Sequence, residues 1–398
     1  MQGVVFWRRL FSAAVSAAIA AVLVAGSAGR TKAMDDDRIV PPRESPDGLL
    51  FGGFKAFRVP LPQSAEDWRK TQPQLRAKLW KLLGDVPPPF TPRVETIERR
   101  RHSGFEELRI RFANGLGDSV YGCLLVPDGG GRNPERRPAV LYHHYHGGKY
   151  EQGKEELFRP AFAEFGNETL VTGPALVREG YVVLAIDAYG FGERHQRGPT
   201  GNRDRGQAVE AALFKTFAWQ GRTLWGMIVH DDLLALNYLL SRDDVDPARV
   251  AAMGMSMGAT RSWWAAALDD RIRCTVSAAC LTRYQDLLAA GSVNFHGIYY
   301  FVPGVLKEQI DTEAICGLIA PRAHLTLSGG RDAGSPLSGV RTINDFEERL
   351  YALFDRPKHY RGIVYEDVGH AYTPEMWRET IDFLRTHLRD VPPNRSSE

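Results

Sequence analysis

The pentapeptide Gly254-Met255-Ser256-Met257-Gly258 constrains the fold of this chain more than any other feature. Residues 249–253 before it, which are apolar from Val250 onward, predict a short buried strand, and residues 259–268 after it predict a helix. A strand that turns into a helix within so few residues needs a very tight bend, which glycines on both sides allow because they carry no Cβ. The pattern therefore predicts that the Ser256 hydroxyl projects from the carboxyl edge of a sheet, beside the N–H of Met257.

Composition sets broad limits on what the chain can be. Its 398 residues are 43% hydrophobic and 25% charged, which is typical of a globular protein with one large or two small domains. The net charge of +2 gives no reason to expect nucleic acid or an acidic polymer as a partner. We also expect no cofactor.

The N-terminus has a different character from the rest of the chain. Arg8 and Arg9 precede an uncharged run, residues 10–28, that is rich in alanine, valine and leucine. A basic start, an apolar run and small residues after it are typical of a secretory signal peptide, here residues 1–33. A retained membrane anchor is the alternative, because the run could nearly span a bilayer. We expect export to the periplasm or the medium, and no stable membrane insertion after cleavage.

Four cysteines in an exported chain raise the question of disulfides. Cys274 and Cys280 lie in one predicted strand, about 20 Å apart at ~3.3 Å per residue. A disulfide needs Cα atoms within about 7 Å, so we expect these two not to be bonded to each other. For Cys123 and Cys316 the sequence decides nothing.

Three regions follow one another along the chain. Residues 34–93 predict an irregular arm and then a helix, with Ser64 as N-cap and Asp67 as its partner. Residues 94–112 and 120–126 predict two antiparallel strands. From Pro138 onward strands alternate with helices, which predicts a parallel sheet within a catalytic domain of residues 94–390. The predicted strands are 139–145, 182–186, 250–254, 273–279, 323–328 and 361–366, and two segments without a strand, 193–220 and 281–321, are insertions at its carboxyl edge.

A serine hydroxyl becomes a nucleophile only beside a base that a carboxylate orients. Strand 323–328 runs into Gly329-Gly330-Arg331-Asp332, and the last strand runs into Asp367-Val368-Gly369-His370. The carboxyl ends of parallel strands meet at one edge, so the sequence predicts Ser256 as nucleophile, His370 as base and Asp332 as acid. The alternatives to Asp332 are Asp286, Glu366 and Asp367.

The loop after strand 139–145 reads His143-His144-Tyr145-His146-Gly147-Gly148. It should supply the second oxyanion N–H beside that of Met257, with His146 the first choice and Tyr145 the second. Three histidines within four residues also suggest a metal site as an alternative. Neighbouring residues of a strand face opposite ways, and no cysteine or carboxylate lies at ligand spacing, so we expect no metal.

Aromatic residues cluster in the second insertion, around Phe295 and Tyr299. Aromatic rings stack on sugars and line acyl pockets, so these two are candidates for substrate binding. They could equally pack the insertion onto the core, and the sequence does not decide between the two.

Taken together, residues 142–148, 187–193, 254–258 and 369–370 resemble the α/β-hydrolase superfamily, over about residues 94–388. The chain is most similar to the secreted bacterial group related to dienelactone hydrolases and acetyl xylan esterases. The resemblance implies an α/β-hydrolase fold, which is a mostly parallel central sheet with helices on both faces. It also implies the catalytic roles of Ser256, Asp332 and His370. Dienelactone hydrolases proper carry a cysteine nucleophile, and the serine found here favours ordinary esters.

These observations predict a secreted serine esterase that hydrolyses short-acyl esters through an acyl-enzyme, with acetylated carbohydrate among its candidate substrates. One alternative is a serine peptidase of the prolyl-oligopeptidase type. The roughly 60 residues between Met34 and Val94 are too few for the propeller that those enzymes usually carry. The other alternative is a hydrolase fold retained as a binding module. The sequence does not indicate an oligomeric state.

Overall fold

The computed structural model describes residues 49–50, 53–129, 136–162 and 165–389. The predicted signal peptide lies outside these ranges. Strands that are buried on both faces form the centre of one sheet: in Val182–Ile186 and in Cys274–Ala278 every residue is buried. A strand that is buried on both faces needs a layer of helices on each side.

The sheet has nine strands, which we number in chain order. Six of them, β4 to β9, are parallel. Strand β3 pairs antiparallel with β5, and β2 and β1 extend the sheet beyond β3, each antiparallel to the strand before it in the sheet. The spatial order is β9-β8-β7-β6-β4-β5-β3-β2-β1. The bounds are β1 Glu95–His102, β2 Phe105–Ala113, β3 Ser119–Pro127, β4 Arg137–His143, β5 Val182–Ile186, β6 Val245–Met255, β7 Cys274–Ala278, β8 Ala323–Gly329 and β9 Tyr360–Tyr365.

Helices cover both faces of the sheet. One apolar cluster contains residues of α1, α4, α5 and α8, and the other, across the sheet, contains residues of α2 and α9. Strand β6 contributes to both, because Val250 and Ala252 face the first cluster while Ala251 and Met253 face the second. The bounds are α1 Ala65–Leu83, α2 Thr172–Arg178, α3 Gln207–Trp219, α4 Leu224–Leu240, α5 Met257–Leu268, α6 Tyr284–Ala289, α7 Thr312–Gly317, α8 Leu337–Leu353 and α9 Pro374–Leu384.

The chain has the α/β-hydrolase fold that the sequence predicted. One correction concerns residues 94–112, which form two strands and not one. The break is a turn at Ser103 and Gly104, where Gly104 has a φ of +93°. In β1 seven of eight residues are exposed, so its sequence lacked the apolar pattern that would have marked a separate strand.

Helix α1 begins as predicted, with the Ser64 hydroxyl accepting the N–H of Asp67 at 3.1 Å. It is fixed to the segment before β8 through Trp68, whose ring N–H donates to the carbonyl of Gly317 at 2.8 Å. Among the described residues, no helix combines the length and the apolar character needed to cross a membrane.

All four cysteines are free thiols and all are buried. The prediction that Cys274 and Cys280 are not bonded to each other is therefore confirmed. Cys123 and Cys316, whose state the sequence left open, lie in the interior as small apolar side chains.

Candidate active site

Ser256 occupies a strained turn between β6 and α5. Its φ of 57° and ψ of −123° are unusual for a residue with a side chain, and such a conformation costs about 1–3 kcal/mol. The Ser256 N–H donates to the carbonyl of Ala278 at 2.9 Å, which ties the turn to β7. A Cβ at Gly254 or Gly258 would overlap the carbonyl oxygen of His143, so glycine is required at both positions.

His370 and Asp332 complete a hydrogen-bonded chain to this serine. The Nε2 atom of His370 lies 2.8 Å from Ser256 Oγ, and its Nδ1 atom lies 2.7 Å from Asp332 Oδ2. A carboxylate can only accept, so Nδ1 carries the hydrogen and Nε2 is free to accept the serine proton. The second carboxylate oxygen of Asp332 accepts the N–H of Gly334 at 2.9 Å, which fixes the acid.

The other candidate acids point away from the histidine. Asp286 pairs with Arg283 at 2.9 Å and also accepts the hydroxyl of Ser338. Glu366 pairs with Arg341, and Asp367 pairs with Arg331. The geometry therefore favours Asp332 as the partner of His370.

The ionisation of the pair suits base catalysis. Burial alone would raise the pKa of Asp332, but its hydrogen bond to His370 and the attraction between them outweigh burial and hold this pKa below its ordinary value. Burial alone would lower the pKa of His370, and Asp332 again outweighs it, so this pKa lies above 6.5. A carboxylate in this position is suited to stabilise an imidazolium form of His370.

Met257 is the first residue of α5, where a backbone N–H has no partner within the helix. An N–H at this helix end, beside Ser256, is suited to stabilise an oxyanion. In the loop after β4, Tyr145 and Gly147 line the cavity that contains Ser256, whereas His146 is not among its described lining residues. The Tyr145 N–H donates to Glu156 Oε2 at 2.6 Å.

The three histidines of this loop have separate partners. His143 Nδ1 donates to the Ser262 hydroxyl, which itself donates to a carbonyl. His144 Nε2 accepts the N–H of Ala188, and His146 Nε2 donates to Glu210 Oε1 at 3.3 Å. Burial and the charge of Arg261 hold the pKa of His143 and of His144 well below the ordinary value, so both are neutral. Within the described residues, no group of three or more His, Cys, Asp or Glu side chains is placed to hold a metal ion.

A cavity of about 570 Å³ opens beside Ser256 and His370. Most of its described wall comes from the loop after β4 and from the turn and hairpin that follow it, Gly153–Phe158 and Pro160–Phe162. The wall includes the buried polar side chains of Tyr142 and Glu156 and the exposed cations Lys149 and Arg159. The other lining residues are Tyr142, Tyr145, Gly147, Lys149, Glu156, Arg159, Pro160, Ala161, Thr172, Met255 and Tyr372.

The two aromatic candidates lie elsewhere. Tyr299 is only 3% exposed, and its ring stacks on that of His146 with centroids 5.3 Å apart. Phe295 is 59% exposed. Neither lines the cavity around Ser256 within the described part of the chain. For Tyr299 the structure shows the packing alternative, because burial against His146 and Trp225 occupies its ring.

Apart from Tyr145, Ser256 and His370, sequence reasoning missed the residues that line the cavity, above all Glu156. It lies in a loop, where no periodic pattern distinguishes a buried charge from a solvated one. Its neighbour Lys154 is also buried and donates to Asp187 and Glu193, both at 2.8 Å. This ion-paired cluster fixes the turn that presents Glu156 to the cavity. The run Lys154-Glu155-Glu156 after a glycine-rich loop was the only available signal.

Comparison with known proteins places the chain in a family. The model of the Dienelactone hydrolase family matches residues 163–386, more than half of the chain. The chain belongs to the dienelactone hydrolase family. A relative from Bacillus subtilis (strain 168), named "Putative hydrolase YtaP", is 37% identical over 319 residues, 79% of this chain and 98% of YtaP.

Solved structures share the fold at low sequence identity. A glucuronoyl esterase from Solibacter usitatus is 15% identical, with a TM-score of 0.60 over 85% of this chain and 96% of the esterase. Acetyl Xylan Esterase 1 from Thermoanaerobacterium sp. JW/SL YS485 is 19% identical, with a TM-score of 0.51 over 77% of this chain and 97% of that enzyme. At these identities the likeness establishes the α/β-hydrolase fold.

Proposed function

We propose that this member of the dienelactone hydrolase family is a serine esterase for short-acyl carboxylic esters. The observation that carries the proposal is the unbroken hydrogen-bond chain from Ser256 through His370 to Asp332, beside an open cavity. Esters of carbohydrates, acetyl esters above all, are the substrate class that we favour, because the structural neighbours include enzymes named as acetyl xylan and glucuronoyl esterases.

The reaction follows from the geometry. Ser256 Oγ attacks the ester carbonyl while His370 Nε2 takes its proton, and the oxyanion is stabilised by the Met257 N–H and one N–H of the loop after β4. The C–O bond to the alcohol then breaks, and His370 returns the proton to the leaving alcohol. Water, deprotonated by His370, attacks the acyl-enzyme, so that the acid is released and Ser256 regains its proton.

Export is part of the proposal. The predicted signal peptide at residues 1–33 would place the mature enzyme in the periplasm or the medium, where polysaccharide esters occur. Cell fractionation of the full-length chain, together with N-terminal sequencing of the mature protein, tests this directly. A protein that retains Met1 and stays in the cytoplasm would contradict export.

Turnover of p-nitrophenyl acetate, compared with that of a chromogenic peptide, tests the activity. We expect the ester to be hydrolysed and the peptide to be left intact. Preference for the peptide would indicate a peptidase, and turnover of neither would favour a binding module. A screen of acetylated xylan, aryl esters and lactones would then define the alcohol.

A further inference from the structure

Glu156 is a buried acid in the wall of the cavity that contains Ser256, and the proposed reaction as described gives it no role. It lies in the short turn Gly153–Phe158 and is only 7% exposed. Unlike Asp332, it has no contact with His370 among the described hydrogen bonds. A carboxyl group is costly to bury, so its presence beside a reactive serine calls for an explanation.

Each carboxylate oxygen of Glu156 accepts one hydrogen bond, Oε1 from strand β4 and Oε2 from the loop after β4. The Tyr142 hydroxyl donates to Oε1 at 2.5 Å, and the Tyr145 N–H donates to Oε2 at 2.6 Å. Within the part of the chain that the structure describes, no cation forms an ion pair with Glu156, and the adjacent Lys154 is turned toward Asp187 and Glu193. The two hydrogen bonds are therefore the main interactions that stabilise the ionised form of Glu156.

These contacts place Glu156 in competition with the substrate. Tyr145 lines the cavity, and its N–H is one of the two candidates for the second oxyanion donor. An ionised Glu156 holds that N–H by a charge-assisted hydrogen bond. It also places a negative charge in the cavity wall near the site where a second negative charge would develop. Protonation of Glu156 weakens the competing hydrogen bond and removes the repulsion.

We propose that Glu156 is a positioning residue of the acyl transfer, and that only its neutral acid form releases the Tyr145 N–H to an oxyanion on the substrate. The inference rests on the proposed esterase function. The second oxyanion donor is then the N–H of Tyr145 and not that of His146. Tyr145 and Gly147 line the cavity, whereas His146 is not among its described lining residues.

The surroundings of Glu156 make the neutral form accessible near neutral pH. Burial raises the pKa of Glu156 to about 8, although hydrogen bonds from Tyr142 and Tyr145 and the charge of Arg261 act in the opposite direction. Arg261 is itself paired with Asp232. The other titratable or charged groups that face Glu156 across the same cavity are Lys149, Arg159, His370 and Tyr372.

The test is the alkaline half of the pH profile of kcat/KM for p-nitrophenyl acetate, with Ser256→Ala as the blank at each pH. In the wild-type enzyme we expect kcat/KM to fall above about pH 8, by about tenfold per pH unit. Glu156→Gln cannot ionise, so its profile should stay flat there. Glu151→Gln, an exposed neighbour in the same loop, should keep the wild-type fall.

Tyr142→Phe is a second, independent variant. It removes a hydrogen bond that favours the ionised form, so the midpoint of the alkaline fall should move to higher pH. This variant keeps the inference testable even if Glu156→Gln does not fold, which circular dichroism would reveal. A wild-type profile that is flat to about pH 10, or an unchanged fall in Glu156→Gln, would overturn the inference.

Labelling of Ser256 by a fluorophosphonate separates this inference from the proposed function. Phosphonylation also develops negative charge on an oxygen in the oxyanion site, so its rate should show the same alkaline fall, and Glu156→Gln should abolish that fall. If the enzyme hydrolyses no ester but labels in this way, the proposed function is wrong and the role of Glu156 stands. If esters are hydrolysed but the pH profiles of hydrolysis and of labelling are the same in the wild type and in Glu156→Gln, the proposed function stands and the role of Glu156 is wrong.

Discussion

At the scale of single residues, the proposed serine esterase mechanism depends on the hydrogen bonds that join Ser256, His370 and Asp332. Asp332→Asn should lower kcat by about 10⁴, because an amide at this position favours the wrong tautomer of His370. Steady-state kinetics with p-nitrophenyl acetate measure the loss. Asp286→Asn is the matched control, since Asp286 is bonded to Arg283 and Ser338. A large loss in the control and none in Asp332→Asn would show that the acid has been misassigned.

The fall of kcat/KM at acidic pH is a second test of the roles of these residues. A protonated imidazole cannot accept the Ser256 proton, so activity should fall as pH drops through the pKa of His370. That pKa is raised above 6.5 because Asp332 favours the charged form, so the midpoint of the fall should lie above 6.5. Values of kcat/KM across this range check the prediction, and a flat profile between about pH 5 and 8 would exclude a histidine base.

The sequence predicted Ser256, Asp332 and His370 because each directly follows a strand of the parallel sheet, so position along the chain fixed position in space. Glu156 could not be found in this way. It reaches the cavity through a turn whose path depends on the buried pairing of Lys154 with Asp187, 33 positions away in sequence. A contact of that kind leaves no local pattern.

At the scale of elements, the approach of α5 to β4 depends on glycine. A Cβ at Gly258 would overlap the carbonyl oxygen of His143, which is backbone and cannot move aside as a side chain can. Gly258→Ala should therefore lower the free energy of unfolding by about 1–3 kcal/mol, which urea denaturation would measure. Gly369→Ala is the control for stability, because its Cβ would meet no atom within 4 Å. Equal stability of the two variants would contradict the close packing described.

The elements themselves were predicted unevenly, for a physical reason. Buried strands such as Val182–Ile186 are apolar throughout, and burial on both faces requires that composition. Strand β1 is an exposed edge rich in Arg and Glu, so it was merged with β2. The hairpin of Pro160–Phe162 with Asn167–Val171 was missed altogether, because its strands are short and separate from the main sheet.

At the scale of the whole molecule, the cavity limits the substrate. Its described wall contains Lys149, Glu156 and Arg159, whose polar groups interrupt the apolar surface that a long acyl chain would need. Each methylene of the acyl chain that is buried against an apolar surface contributes about 0.8 kcal/mol to binding, and we expect this contribution to stop beyond the shortest acyl chains. Values of kcat/KM for p-nitrophenyl esters should peak between acetyl and butyryl and fall by octanoyl. A steady rise through decanoyl would indicate a lipase-like site.

The aromatic cluster of the second insertion was a candidate either for substrate binding or for packing onto the core. Tyr299 and Tyr300 are each 3% exposed and belong to the core of the domain. Sequence alone could not distinguish an aromatic cluster that packs against the core from one that faces a ligand, because both require the same residues.

The most direct test of the central claim is the hydrolysis of p-nitrophenyl acetate by the wild-type protein and by Ser256→Ala, with the fold of both checked by circular dichroism. Wild-type protein should turn over the ester and be labelled by a fluorophosphonate at Ser256. The variant should lose about 10⁴ or more in kcat and take up no label. A folded Ser256→Ala variant that retains activity within about tenfold of wild type would contradict a serine esterase mechanism.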